Sequence, residues 1–417
     1  MNSSKVLNKL IIVAALGYFV DIYDLLLFSV ERINSLQEIL HAETITPEIK
    51  KIGQMLLNFQ MGGMVVGGLF WGILGDKKGR LSVLFGSILL YSIANILNGM
   101  VHDVNTYALL RFISGFGLAG ELGAGITLVS ESMSKEKRGI GTMIVATIGV
   151  FGAVVAGFIS PLIGNWRWSF YIGGIMGLLL LFLRIGVFES GMFEDTKKSD
   201  VSRGNFFYLF KSRKRVLQYL SIIFIAVPVW YVMGTLITFA PDLFKTMNIT
   251  SFSPNAGRSI MFAYLGITLG DFVSGYLSQK LKSRKKVFAL FLSLTILGII
   301  SYFTVALKNE TAYYSCICFL GFATGYWAVF MSTASELFGT NIRATAATTA
   351  PNFVRGSVIV LSGVIGLFEF MLPTLSNGAP NSITAIIITG IIFLSIAFLS
   401  LWNIEETFGK DLNYVEK

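Results

Sequence analysis

Twelve stretches of about 20 residues, each almost free of charge, alternate with short polar connections along the 417 residues. A helix needs about 20 residues to cross the hydrocarbon core, and lipid-exposed backbone must satisfy its own polar groups. The segmentation therefore predicts an all-α membrane protein, with spans near 10–30, 53–74, 81–101, 106–129, 140–163, 168–187, 215–240, 257–279, 287–306, 312–334, 344–371 and 382–402. Only 14% of the residues are charged and 54% are hydrophobic, which excludes a cytosolic enzyme. Lys5 and Lys9 precede the first apolar run like the start of a signal peptide. That run carries Asp21 and Asp24 and lacks a small-residue cleavage site, so a retained first helix is expected.

Charge distribution sets the expected topology. Of the 33 Lys and Arg residues, 24 fall in the connections on the side that holds both termini and seven on the other, leaving Arg111 and Arg355 inside spans. The positive-inside bias then puts both termini in the cytoplasm of a bacterial inner membrane, and the +9 net charge reports topology, not nucleic-acid binding. Cys316 and Cys318 lie two apart on one predicted helix and form no disulfide framework. His41 and His102 fall in polar connections, so neither a metal site nor a cofactor is expected.

The chain also repeats itself. Ser130-Glu131, with Arg138 seven residues after the acid, recurs as Ser335-Glu336 with Arg343, and Gly67 with Gly72 recurs as Gly270 with Gly275 ahead of a second basic run. Two matches at nearly one offset imply duplicated six-helix units. The expected organisation is an N-terminal bundle over 1–188, a cytoplasmic linker over 189–214 with an amphipathic piece at 206–215, a C-terminal bundle over 215–402 and a tail over 403–417. Duplicated bundles around a central cavity let one site open to either side by rocking.

Between the second and third spans, Gly72-Ile73-Leu74-Gly75-Asp76-Lys77-Lys78-Gly79-Arg80 resembles the signature loop of the major facilitator superfamily. Its glycines permit a tight turn at a helix junction, where Asp76 can cap a helix N-terminus and pair with Arg80 as a latch. Val20-Asp21-Ile22-Tyr23-Asp24 is similar to an acid-aromatic-aromatic-Asp motif of the metabolite:proton symporters, with Asp for Glu and Ile for an aromatic. Arg111, the glycine-rich run after it and Glu121 are similar to the fourth span of that branch. The Glu131 to Arg138 turn resembles one shared with the sugar porters, and its repeat is Glu336 to Arg343. The resemblance implies a twelve-helix transporter gated through Gly72, Asp76, Gly79, Arg80, Glu131, Arg138, Glu336 and Arg343. The second half's counterpart of the latch loop lacks the acid.

Ionisable groups inside a membrane are costly, so each is a functional candidate. Asp21 and Asp24 stand three apart on one helix face, close enough to discourage ionisation of both, and Arg111 supplies a counter-charge. By resemblance, Asp24 is the proton carrier. Glu121 is either a second proton station or a member of the Glu131–Arg138 network. In the second half, Arg355 beyond a break at Pro351 suits a substrate carboxylate, with pairing to Asp271 as the alternative. Tyr23, Trp230, Tyr231, Tyr326, Trp327 and Asn352 are further candidates for the substrate site.

These features predict a monomeric secondary transporter whose partners are a small-molecule substrate, protons and membrane lipid. Proton-coupled uptake of an organic acid or amino-acid-like solute is the expected activity. A facilitator or exchanger of a sugar, nucleoside or other solute is the rival within transport, and a non-transporting nutrient sensor the rival outside it. The fifth span has no Gly-Pro-x-x-Gly run of the antiporter kind, which favours symport, and no phosphate-binding glycine loop is present.

Overall fold

The computed structural model describes residues 3–133, 138–184, 204–249, 251–374 and 381–416, with backbone alone for 3–8 and for Arg138. Among them are α1 (Ser3–Ile39), α2 (Pro47–Lys78), α3 (Arg80–Asn98), α4 (Val104–Leu118), α5 (Glu121–Ser132), α6 (Arg138–Ile163) and α7 (Trp166–Leu183). After a 3-10 turn at Phe206–Phe210 follow α8 (Arg213–Tyr231), a π segment (Val232–Ile237), α9 (Ala240–Thr246) and α10 (Ala256–Lys280). The remaining helices are α11 (Arg284–Thr304), α12 (Glu310–Thr324), α13 (Trp327–Glu336), α14 (Arg343–Met371) and α15 (Ser382–Asn403). These provide twelve helices, continuous or interrupted, that are long and apolar enough to cross a membrane.

Local sequence sets the helix starts. Thr46, Asp103, Asn255, Ser283 and Asn309 each accept a first-turn N–H through the side chain. Gly79 separates α2 from α3 at φ +102°, a value that side-chain-bearing residues rarely adopt. Bulky apolar side chains such as Phe158, Phe182, Leu269, Phe370 and Trp402 point outward, as a lipid-facing surface requires.

Equivalent contacts recur half a chain apart. Gly63 and Gly67 of α2 let the Phe112 and Phe116 carbonyls of α4 approach, and Gly266 and Gly270 of α10 do the same for Cys318 and Phe322 of α12. The first six spans meet the last six along two main seams, α2 against α14 and α6 against α10. Both seams reach the end of the molecule that carries the Gly79 turn and the folded-back tail 404–416, here called the basic end.

The interruptions are not where the sequence placed one. α14 runs unbroken through Pro351, because its close packing on α2 holds the helix across the missing N–H. The fourth span instead breaks at Ala119–Gly120, the seventh passes into the π segment and the tenth breaks at Gly325–Tyr326. The amphipathic piece expected at 206–215 is a 3-10 turn followed by the start of α8. Residues 185–203, which include most of the linker, lie outside the described residues, as do Lys135 and Lys137.

Candidate functional site

At the centre, α1 and α14 bring opposite charges together across the two halves. Asp21 Oδ2 lies 3.5 Å from Arg355 Nη2, with both side chains essentially inaccessible. Among the described residues, neither Asp21 oxygen and none of the three Arg355 nitrogens makes a hydrogen bond of normal geometry. A buried ion pair with unfilled hydrogen-bonding capacity has paid desolvation without full compensation, so a further ligand there gains directly. Arg355 opens onto a cavity of about 20 Å³ lined also by Tyr18, Ile22, Val150, Val229, Trp230, Tyr264, Ile267 and Trp327. That volume holds about one water, so a substrate requires the halves to separate. The indole Nε1 of Trp327 is buried and unpartnered, and the Arg355 guanidinium lies 5.9 Å from the centre of that indole.

Three of the residues named for substrate binding line this cavity, Trp230, Trp327 and Arg355. The hydroxyls of Tyr23, Tyr231 and Tyr326 donate to the Ser169, Ile386 and Ile225 carbonyls at 3.3, 2.9 and 2.9 Å. Asp271 Oδ1 accepts the Ala328 N–H at 3.0 Å at the start of α13. Its pairing with Arg355 is not formed; Asp21 takes that place. Asn352 donates to the Ala119 carbonyl across the seam at 2.8 Å. Tyr18 and Ile22 were missed; they stand four apart on one face of α1, with Tyr18 three residues before Asp21.

Asp24 belongs to a second cluster inside the first half. Arg111 donates to Asn98 Oδ1 at 3.2 Å and Asn95 Oδ1 at 3.0 Å, and the Phe28, Tyr107 and Phe170 rings surround its guanidinium. Asp24 packs on Gly173 of α7, and no ion pair within 4 Å joins it to Arg111. The two acids are thus divided, one towards the other half and one towards α3 and α7. Glu121 pairs with Arg184, which also donates to the Leu84 carbonyl. Arg184 gave no signal in the sequence, since it closes a helix beside a polar linker.

At the basic end, Asp76 caps α14 across the seam, accepting the Ala344 N–H at 3.1 Å, the Thr345 N–H at 2.8 Å and the Thr345 hydroxyl at 2.7 Å. Arg80 is 3.5 Å from Asp76 but closer, 2.9 Å, to Glu131, so the expected Asp76–Arg80 pair is the weaker of the two. Glu131 also receives Arg343 at 3.1 Å from the other half. Glu336 pairs with Arg284 at 2.9 Å. Gly72 lets Thr345 approach, its missing Cβ leaving 3.1 Å to that Cα. The Arg138 side chain lies outside the described residues. At the opposite end, Arg32 is buried and meets Asp242 at 2.7 Å across the halves, over the Phe239 ring.

The sequence profile of the Major Facilitator Superfamily matches residues 14–363, and the chain belongs to that family. It is 27% identical over 329 residues to a Cupriavidus pinatubonensis protein named "Probable 4-methylmuconolactone transporter", covering 73% of this chain and 74% of the relative. It is also 27% identical over 301 residues to the 3-(3-hydroxy-phenyl)propionate transporter of Escherichia coli strain K12, covering 69% and 70%. The solved structure of the proton:xylose symporter XylE shares the fold, with a TM-score of 0.76, 17% identity and 99% and 98% coverage. The protein is a multi-pass membrane transporter and not an enzyme.

Proposed function

We propose that the protein is a proton-coupled symporter that takes up a small carboxylate-bearing metabolite, an organic acid or amino-acid-like solute, through a cell membrane with the basic end in the cytoplasm. The buried Asp21–Arg355 contact carries this reading, because it joins the halves at the cavity while leaving the guanidinium's hydrogen-bonding capacity unfilled. A substrate carboxylate takes Arg355 through two parallel hydrogen bonds and releases Asp21. Asp24, beside the Arg111–Asn95 cluster, takes the transported proton, and the change in charge between the halves biases which end opens. The metabolite carriers among the relatives support a carboxylate.

The test begins with a thermal-shift panel of carboxylates, amino acids and sugars on the purified protein, followed by transport of the best stabiliser in proteoliposomes. Asp24→Asn abolishes accumulation driven by an inward proton gradient and leaves counterflow measurable. A mutant that still concentrates the solute removes Asp24 from coupling. Arg355→Lys, which loses bidentate geometry, weakens binding roughly tenfold or more. A best stabiliser without an anionic group overturns the carboxylate assignment.

A further inference from the structure

The breaks in the fourth and tenth spans are secured in different ways. Gly68 on α2 and Asp271 on α10 occupy equivalent places half a chain apart, each beside the break of the neighbouring span. The Gly325–Tyr326 break is closed from within its own half, by Asp271 on the Ala328 N–H and by the Tyr326 hydroxyl on the Ile225 carbonyl. Among the described residues, no side chain is seen to accept an N–H from the first turn of α5, whose N-cap is Gly120. The room left by Gly68 is filled from the opposite half: a Cβ added there would lie 2.9 Å from Asn352 Cβ and 3.0 Å from its Nδ2. That Nδ2 donates to the Ala119 carbonyl, inside the break, and to the Thr348 carbonyl at 2.7 Å.

Asn352 also stands in a stripe. Thr345, Thr348, Asn352 and Arg355 fall on one face of α14 and meet, in order, Asp76, Gly123, Ala119 and Asp21, all in the first half. The stripe runs from the basic-end latch to the central charge pair, and Asn352 is the member that touches a helix interruption.

We propose that Asn352 is a positioning residue that ties the fourth-span break to the closure of the two halves. Its bond to Ala119 exists only while α14 lies against α2, and it fixes α4, which carries Arg111, relative to α5, which carries Glu121. When α14 withdraws, the carbonyl loses its donor and the break loosens, while the tenth-span break keeps its cap throughout. Opening at the basic end thereby reaches the Arg111–Asn95 cluster. The consequence for coupling rests on the symport reading; the bond and its test do not.

Hydrogen exchange of the full chain in lipid nanodiscs, followed in peptides covering 115–124 and 321–330, tests the idea without any substrate. Asn352→Leu, close in size but with no donor, speeds exchange at the first break about tenfold and leaves the second unchanged. Gly68→Ala pushes Asn352 away and reproduces the effect, keeping the test available if Asn352→Leu does not fold. Asp76→Asn, which loosens the latch, also speeds exchange at the first break, but adds nothing in the Asn352→Leu or Gly68→Ala background. Equal acceleration at both breaks means general destabilisation and overturns the proposal, as do unchanged exchange at 115–124 and full additivity with Asp76→Asn. Loss of proton-driven accumulation in the wild type would sink the symport reading and leave this result standing.

Discussion

The two seams at the basic end descend from one repeated pattern and have diverged. Along α2–α14, the Asp76 carboxylate accepts three hydrogen bonds from the first turn of α14, and the Arg80–Glu131–Arg343 chain of charges crosses between the halves. Along α6–α10 the equivalent of Asp76 is Gln279, a neutral amide against Gly139 at the start of α6. The equivalent acid, Glu336, is spent within its own half on Arg284 and on the Thr407 hydroxyl of the tail. A charge at a helix N-terminus is worth more than an amide there, and a bond across a seam is lost on opening where one inside a half survives. Closure at this end is therefore concentrated on one seam, and the other can act as the pivot.

The largest expected effect comes from the acid that serves two arginines. Glu131→Gln leaves Arg80 and Arg343 without their shared buried counter-charge, a loss of roughly 3–5 kcal/mol by analogy with other broken buried pairs. Glu336→Gln costs less, because Arg284 keeps Ser278 at 2.6 Å. Thermal melts in detergent rank the two, and an equal fall in Tm removes the asymmetry. Next comes the cap. Asp76→Asn keeps one strong acceptor instead of two and shifts the population towards opening at the basic end by about tenfold, whereas Gln279→Leu shifts it less than twofold. Cysteine labelling from the basic end measures both, and similar rates for the two variants would contradict the comparison.

The smallest effect concerns the tail. Burial raises the Glu406 carboxyl, but the hydrogen bonds from Ser283 and from the Arg284, Phe408 and Lys285 N–H groups outweigh it and hold its pKa below the ordinary value. A lowered folded pKa contributes stability above the ordinary Glu value of about 4.3 and loses it as pH falls through the lowered one. Limited proteolysis of 404–416 should stay flat from pH 8 to 5 and rise only below about pH 4. Glu406→Gln should release the tail a few-fold at neutral pH. A step between pH 6 and 7 would assign the clasp to another group.

Much of this architecture is legible in the sequence because lipid imposes a local rule. A span must be apolar for about 20 residues whatever its neighbours do, so the number of spans follows from counting. The repeat is legible for a similar reason: glycines at helix crossings and the Glu-to-Arg turns keep their spacing in both halves. Which charge meets which was not legible. The sequence marked Arg111 and Arg355 as intramembrane, yet Arg32, Arg80, Arg184 and Arg343 are also among the fully buried side chains. Each lies near a span end, where a chain-local reading assigns it to solvent, and the packing of a distant helix covers it.

By itself the sequence determined twelve spans, the duplicated halves and the presence of acids and arginines inside them, since each depends on length, composition or spacing along one segment. The tertiary structure alone decided that Asp21 meets Arg355 while Asp24 turns to α3 and α7, that Asp76 caps the opposite half, and that the interruptions fall at Ala119–Gly120 and Gly325–Tyr326 and not at Pro351. Two residues on one helix face can still serve different neighbours, and the side on which each neighbour lies is set by how the bundles dock. A proline's missing hydrogen bond breaks a helix only where packing does not hold it, and on α14 the contacts with α2 from Met61 to Gly75 do.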